Sequence, residues 1–117
     1  MYRGLSEVDD RIVTRLRETL MRDEEFVAAA RCEDGLLDRW STYLVVTTDR
    51  LLSVRKVLLE STVRGVKLSR IDTLRAEGTT LRIEHGFSTK SYELGATEEL
   101  RELVKVIEQR SSVTASQ

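Results

Sequence analysis

The stretch Thr42-Tyr43-Leu44-Val45-Val46-Thr47-Thr48-Asp49-Arg50-Leu51-Leu52-Ser53-Val54-Arg55-Lys56 constrains the fold more than any other part of the chain. Two runs rich in β-branched residues meet at a polar Thr-Thr-Asp-Arg corner, the pattern of a β-hairpin. Thr47 suits a strand end through its stiff χ1 and its hydroxyl, Asp49 is placed to cap turn amides, and Arg50 to pair across the turn. These are scaffold roles rather than a site.

The same short-strand rhythm continues to the last helix. Strands are expected at about residues 25–31, 41–47, 50–57, 62–68, 71–77, 80–85 and 89–94, a spacing that belongs to a meandering antiparallel sandwich or barrel. The segment containing Ala28, Ala29 and Ala30 is the weakest of these, because alanine prefers helix, and helix continuation stays open there. Alternation of Leu81 and Ile83 with Arg82 and Glu84, and of Leu52 and Val54 with Ser53 and Arg55, predicts one core face and one solvent face.

Two amphipathic helices flank the strands. Val8, Ile12, Leu16 and Leu20 recur every fourth residue and predict a helix from Glu7 to Arg22, N-capped by Ser6. Leu100, Leu103, Val104 and Ile107 predict a second from Thr97 to Gln109, with Thr97 as N-cap. With 117 residues, one core is expected. A single domain spans 1–110, made of an N-terminal helix (1–24), strands (25–95) and a C-terminal helix (97–110), followed by a mobile tail at 111–117. The expected class is α+β, mainly β.

One cysteine, Cys32, excludes an internal disulfide and fits a reducing compartment. No signal-peptide pattern opens the chain and no run approaches the roughly 20 apolar residues of a membrane span. A cytoplasmic protein is expected. Net charge is −1, but residues 1–38 carry −4, residues 39–92 carry +5 and residues 93–117 carry −2. A basic strand region between acidic ends either favours an anionic partner or decorates a solvated face.

The segment Leu44-Val45-Val46-Thr47-Thr48-Asp49-Arg50-Leu51-Leu52 resembles the apolar-Thr-x-x-Arg-Leu signature of bacterial PH-like and GRAM-like domains. Val66-Lys67-Leu68-Ser69-Arg70-Ile71-Asp72-Thr73-Leu74 is similar to the segment where a strand of those families turns through a polar pair into an Ile. The resemblance covers residues 25–110 and implies a seven-stranded antiparallel PH-like barrel or sandwich with a C-terminal capping helix. The N-terminal helix is an addition that must cover sheet, contact the other helix or meet another chain. In phosphoinositide-binding relatives the loop after the first strand is basic. Here it offers Glu33, Asp34 and Asp38 beside Arg31 and Arg39, which opposes a phosphate there.

Enzyme chemistry needs convergent groups, and one His, one Cys and no glycine-rich phosphate loop do not supply them. His85 reads as a turn residue, and its pairing with Cys32 would need the fold to bring them together. No cofactor and no metal are expected. Trp40 offers an amphipathic ring for a partner or for the barrel mouth. Val57, Leu58 and Leu59 fall where a hairpin tip should be polar, so they form either a contact tip or a buried strand end. Arg55, Lys56, Arg64, Lys67 and Arg70 stand at outer strand positions as candidates for an anionic surface. No aromatic residues interleave with them, which disfavours nucleic acid. The function expected is a non-catalytic module that binds a protein partner or self-associates, with peripheral attachment to anionic membrane as the alternative.

Overall fold

A computed structural model describes Gly4, Asp10–Cys32, Trp40–Val57 and Glu60–Ser111, except for the side chains at 10, 11, 40, 41, 56, 57, 60 and 61. Helix α1 (Asp10–Thr19) is followed by strands β1 (Phe26–Cys32), β2 (Trp40–Thr47), β3 (Arg50–Val57) and β4 (Glu60–Lys67). A 3-10 turn at Leu68–Arg70 leads to β5 (Thr73–Glu77), β6 (Thr80–His85), β7 (Ser88–Glu93) and helix α2 (Thr97–Arg110). The class is α+β, mainly strands. The first four strands pair antiparallel in the order β1-β2-β3-β4 and the last three in the order β5-β6-β7. No ladder joins the two sheets among the described residues, so they are not closed into a barrel.

The alternation expected of β3 is seen at residues 52–55: Leu52 and Val54 are buried, Ser53 is half-buried and Arg55 is exposed. The second face is nevertheless not wet along its whole length, because Leu51 beside Leu52 is buried too, as are Ala28, Ala29 and Ala30 along β1. The larger sheet is instead covered on both sides. On one, Ala28, Ala30, Leu44, Val46 and Leu51 pack with the smaller sheet and with Leu100, Leu103 and Ile107 of α2. On the other, Ala29, Tyr43, Val45, Leu52 and Val54 pack under Ile12 and Leu16 of α1. A doubly buried strand reads as a continuous apolar run, and small alanines let both layers approach it. The helix-like alanines are therefore strand by tertiary packing. Of the three roles open to the N-terminal helix, α1 takes that of a sheet cover.

Gly65 of β4 helps this layer close. It pairs with Leu52, and a Cβ at Gly65 would lie 2.6 Å from Leu52 Cδ2, so its missing side chain leaves space that Leu52 fills beneath α1. At the far side, α2 covers the corner between β1 and β5. Its N-cap position is Ala96, with no side-chain cap, rather than the expected Thr97. Ser6 and residues 7–9 lie outside the described residues.

The Thr-Thr-Asp-Arg corner ties α1 to the sheet. Arg50 does not pair across its own turn but reaches back to Glu24, donating from Nε to Oε2 at 2.8 Å and from an Nη to Oε1 at 2.5 Å. A further guanidinium contact donates to the Thr19 carbonyl at the end of α1, 3.1 Å away, so a cation and a donor meet the negative end of the helix dipole. The buried Thr47 hydroxyl donates to Glu24 at 2.6 Å and accepts from the Arg50 amide at 2.8 Å and the Asp49 amide at 3.2 Å. The turn amides are thus held by Thr47, not by Asp49. The Asp49 carbonyl accepts from the Leu68 amide at 2.9 Å, linking the corner to the 3-10 turn.

The smaller sheet is braced at both ends. Asp72 accepts from the Gly86 amide at 2.8 Å, and Gly86 turns the β6–β7 loop with φ of 57°, a conformation that costs glycine little. Glu93 accepts from the hydroxyls of Thr79 and Thr80, the latter at 2.7 Å, so β7 is tied to the preceding turn. These donors hold the Glu93 carboxyl below the usual carboxylate range.

Candidate functional site

Strand parity places an unusual set of residues on the inner faces of the two edge strands β4 and β7. Across β3 and β4, Leu51 pairs with Val66 and Ser53 with Arg64. Across β6 and β7, Leu81 pairs with Tyr92 and Ile83 with Lys90. Side chains alternate faces along a strand, so Arg64 and Lys90 share the inward faces that elsewhere carry core residues. The opposite corner is sealed by α2. This one holds cations.

Between them lies a cavity of about 230 Å³, open to solvent and lined by Leu51, Arg64, Gly65, Val66, Ile83, His85, Lys90 and Tyr92. Leu51 and Ile83 are buried and form its floor, whereas Arg64 and Lys90 are exposed at its rim. Neither cation has a carboxylate ion partner among the described residues. Tyr92 is half-buried between the sheets, and desolvation pushes its phenol above the usual range. Ser53 and the Arg64 cation pull against that shift, while Cys32 adds to it, which places Tyr92 against the larger sheet. Beside the cavity, Phe87 stands fully exposed at the tip of the β6–β7 turn.

This arrangement regroups the residues expected from the sequence. Of the basic candidates, Arg55 and Arg64 occupy the inward parity of β3 and β4, whereas Lys67 pairs with Arg50 on the parity facing α1 and Arg70 sits in the 3-10 turn. Lys56 is in β3 opposite Ser61, and its side chain lies outside the described residues. The five therefore do not share one strand face: β-strand neighbours two apart do, and Arg64 with Lys67 are three apart. Trp40 opens β2 opposite Val57, which ends β3 opposite Glu60, and the side chains of Trp40 and Val57 are not described. Leu58 and Leu59 lie outside the described residues.

Lys90, Tyr92 and Phe87 were not singled out by sequence reasoning, and His85 was read only as a turn residue. The signal for two of these was present: His85 continues the Leu81 and Ile83 alternation to the inner face, and a two-residue turn sets Lys90 opposite Ile83. What the sequence could not give is which strand lies across the gap. Cys32 is buried in the main core and is not among the cavity-lining residues, so the structure does not set it with His85 there.

Among the described residues no group of three or more His, Cys, Asp or Glu is arranged to hold a metal ion, and no helix is long and apolar enough to cross a membrane. Chemically the corner offers an apolar floor, a phenol, an imidazole and two cations, a set suited to an anionic group carried on an apolar stem. No protein-family model matches this chain, and a search of curated proteins finds no match.

Proposed function

We propose that this chain is a cytosolic, PH-like, non-catalytic interaction module that engages an acidic group of a protein partner at the corner between β4 and β7. The single observation that carries this reading is the convergence of Arg64, His85 and Lys90 over the apolar floor of Leu51, Val66 and Ile83. The PH-like part is supported by the division into four and three antiparallel strands with a C-terminal helix over one corner. Exposed Phe87 adds a large aromatic anchor next to the basic rim, the kind of residue that contributes most at protein interfaces. Of the two associations expected from sequence, a partner protein is favoured over self-association through sheet edges, because inward-pointing charges on edge strands disfavour edge-to-edge pairing.

The test is affinity capture from cells that express the protein, comparing wild type with an Arg64→Glu/Lys90→Glu bait and identifying what each retains. A partner held by wild type and lost on charge reversal is the expected result. Identical retained sets would overturn the placement of the contact at this corner.

A second reading has its own observation. An exposed aromatic tip flanked by basic residues also fits the surface of an anionic bilayer. It predicts vesicle co-sedimentation that rises with anionic lipid, falls with salt and is weakened by Phe87→Ser. No pelleting with anionic vesicles at low salt removes it.

A further inference from the structure

We infer that the cavity between β4 and β7 is a binding site for a carboxylate carried on a short apolar chain, an inference that rests on the reading of this corner as the contact site. The size of the space sets the first limit. At about 230 Å³ the space is many times what a single water needs, so a short apolar chain fits inside while the open side leaves its head group in solvent.

The lining sets the second. Leu51, Val66 and Ile83 give the inner end no charged group, so an apolar stem is the part that gains by entering. Arg64 and Lys90 meet from opposite sheets at the rim, where a head group left at the surface would lie between them. A guanidinium presents a fork of donors matched to a carboxylate, and the ammonium adds a second charge without demanding a fixed geometry. Half-buried Tyr92 adds an aromatic wall to the lining.

The placement leaves this corner open to solvent. Arg64 and Lys90 stand on strand faces whose other members, Leu51, Val66, Leu81 and Ile83, belong to or pack on the core, and apolar residues there would close the corner as α2 closes the opposite one. Two sources share the recognised chemistry: a free medium-chain acid, and the last residue of a protein chain with its terminal carboxylate.

The experiment is a titration of the ¹⁵N-labelled protein followed by amide shifts, with octanoate, N-acetyl-Ala-Val-Leu, the C-terminal amide of that peptide, octanol and inorganic phosphate as separate probes. Saturable shifts centred on β4 and the β6–β7 hairpin are expected with octanoate or with the free-acid peptide. They should weaken by about tenfold or more in Arg64→Gln/Lys90→Gln, a pair of exposed positions whose variant is checked for an unchanged fold by its remaining amide spectrum. Binding of octanoate alone assigns a free acid. Binding of the peptide acid but not its amide assigns a chain terminus.

Octanol binding as tightly as octanoate would overturn the inference, as would displacement of octanoate by inorganic phosphate at equal concentration. So would the absence of shifts with every probe. If that absence comes with faster aggregation of the Gln variant, the cations are guards of two sheet edges. A charge-reversed bait that still loses its partner, with no probe bound, would leave the contact site standing and remove only the carboxylate.

Discussion

Arg50 and Glu24, 26 positions apart in the chain, form a two-pronged ion pair at 2.5 and 2.8 Å that fastens the segment after α1 to the β2–β3 turn of the larger sheet. Only 3% of the Glu24 side chain and 16% of that of Arg50 is exposed, so the pair is largely shielded from solvent screening. It belongs to the class of buried pairs whose breaking costs more than their formation gains.

Acid should loosen the fold through Glu24. The Arg50 guanidinium, helped by Thr47 and the Met21 amide and opposed by burial, lowers its carboxyl from 4.5 to about 2. Because the folded value is depressed, the unfolded chain binds more protons between these limits. The stabilisation is complete above about pH 4.5 and is lost as pH falls toward 2. At about 1.4 kcal/mol per unit the shift amounts to about 3 kcal/mol. Urea unfolding at pH 3 and pH 6 should show the loss, and Glu24→Gln should flatten that part of the profile.

Removing one partner should cost more than removing both. Arg50→Ala leaves a buried carboxylate unpaired and should destabilise by about 3–5 kcal/mol, whereas Arg50→Met combined with Glu24→Leu should cost clearly less than the sum of the single changes. Arg50→Lys keeps the charge and loses the fork, so an intermediate effect is expected. A thermodynamic cycle from denaturant unfolding measures the coupling.

Thr47 should tolerate serine and not valine. Its buried hydroxyl serves Glu24 and two turn amides, so the nearly isosteric Thr47→Val strands several polar groups and should cost about 2–3 kcal/mol. Thr47→Ser keeps the bonds and gives up a methyl group, worth about 1 kcal/mol. Thermal melts of the two variants distinguish the hydroxyl from the methyl.

Truncating the α1 stripe should open one side of the larger sheet. Leu16 is fully buried, and Leu16→Ala should destabilise by about 2–5 kcal/mol. Hydrogen exchange should show protection falling first in α1 and in the neighbouring amides of β3. Uniform loss across both sheets would mean that α1 and the sheet unfold only together.

Cys32 should resist modification in the folded protein. At 5% exposure its thiol is shielded, so reaction with a disulfide reagent should follow unfolding and be slowed greatly under native conditions. Rapid native reaction would place the end of β1 outside the core.

Strand positions were largely legible because period-two alternation and polar turns are local. β3 and β6 were expected at the residues where they occur, and β2 within one residue. What local pattern left open or misplaced shares one cause. The choice between strand and helix for the Ala28–Ala30 run, the extra cover over Leu51 on the second face of β3, and the partner of Arg50 all depend on a layer that lies far away in sequence. Local pattern reports how a strand alternates, not how many of its faces are covered.

The same distinction governs the site. Arg55, Arg64 and Lys67 were grouped because they are basic and on adjacent strands, but parity separates Lys67 from the other two. The inward parity of Lys90 follows from the two-residue β6–β7 turn, but that its face lies across a cavity from Arg64 of β4 is set only by the packing of the two sheets.

What the sequence determined by itself is the mainly-β class, the two flanking helices, the hairpin with its Thr47 and Arg50 corner, and the apolar stripes that must be buried. Tertiary structure alone decided that the larger sheet is covered twice, that Arg50 answers Glu24 rather than its own turn, and that Arg64, His85 and Lys90 meet over an apolar floor. The physical reason is that backbone periodicity is set between near neighbours. Which faces meet is settled by packing two sheets and two helices around a common core, where charge is admitted if it is paired, as Glu24 is with Arg50, or if it stands at the corner left uncovered.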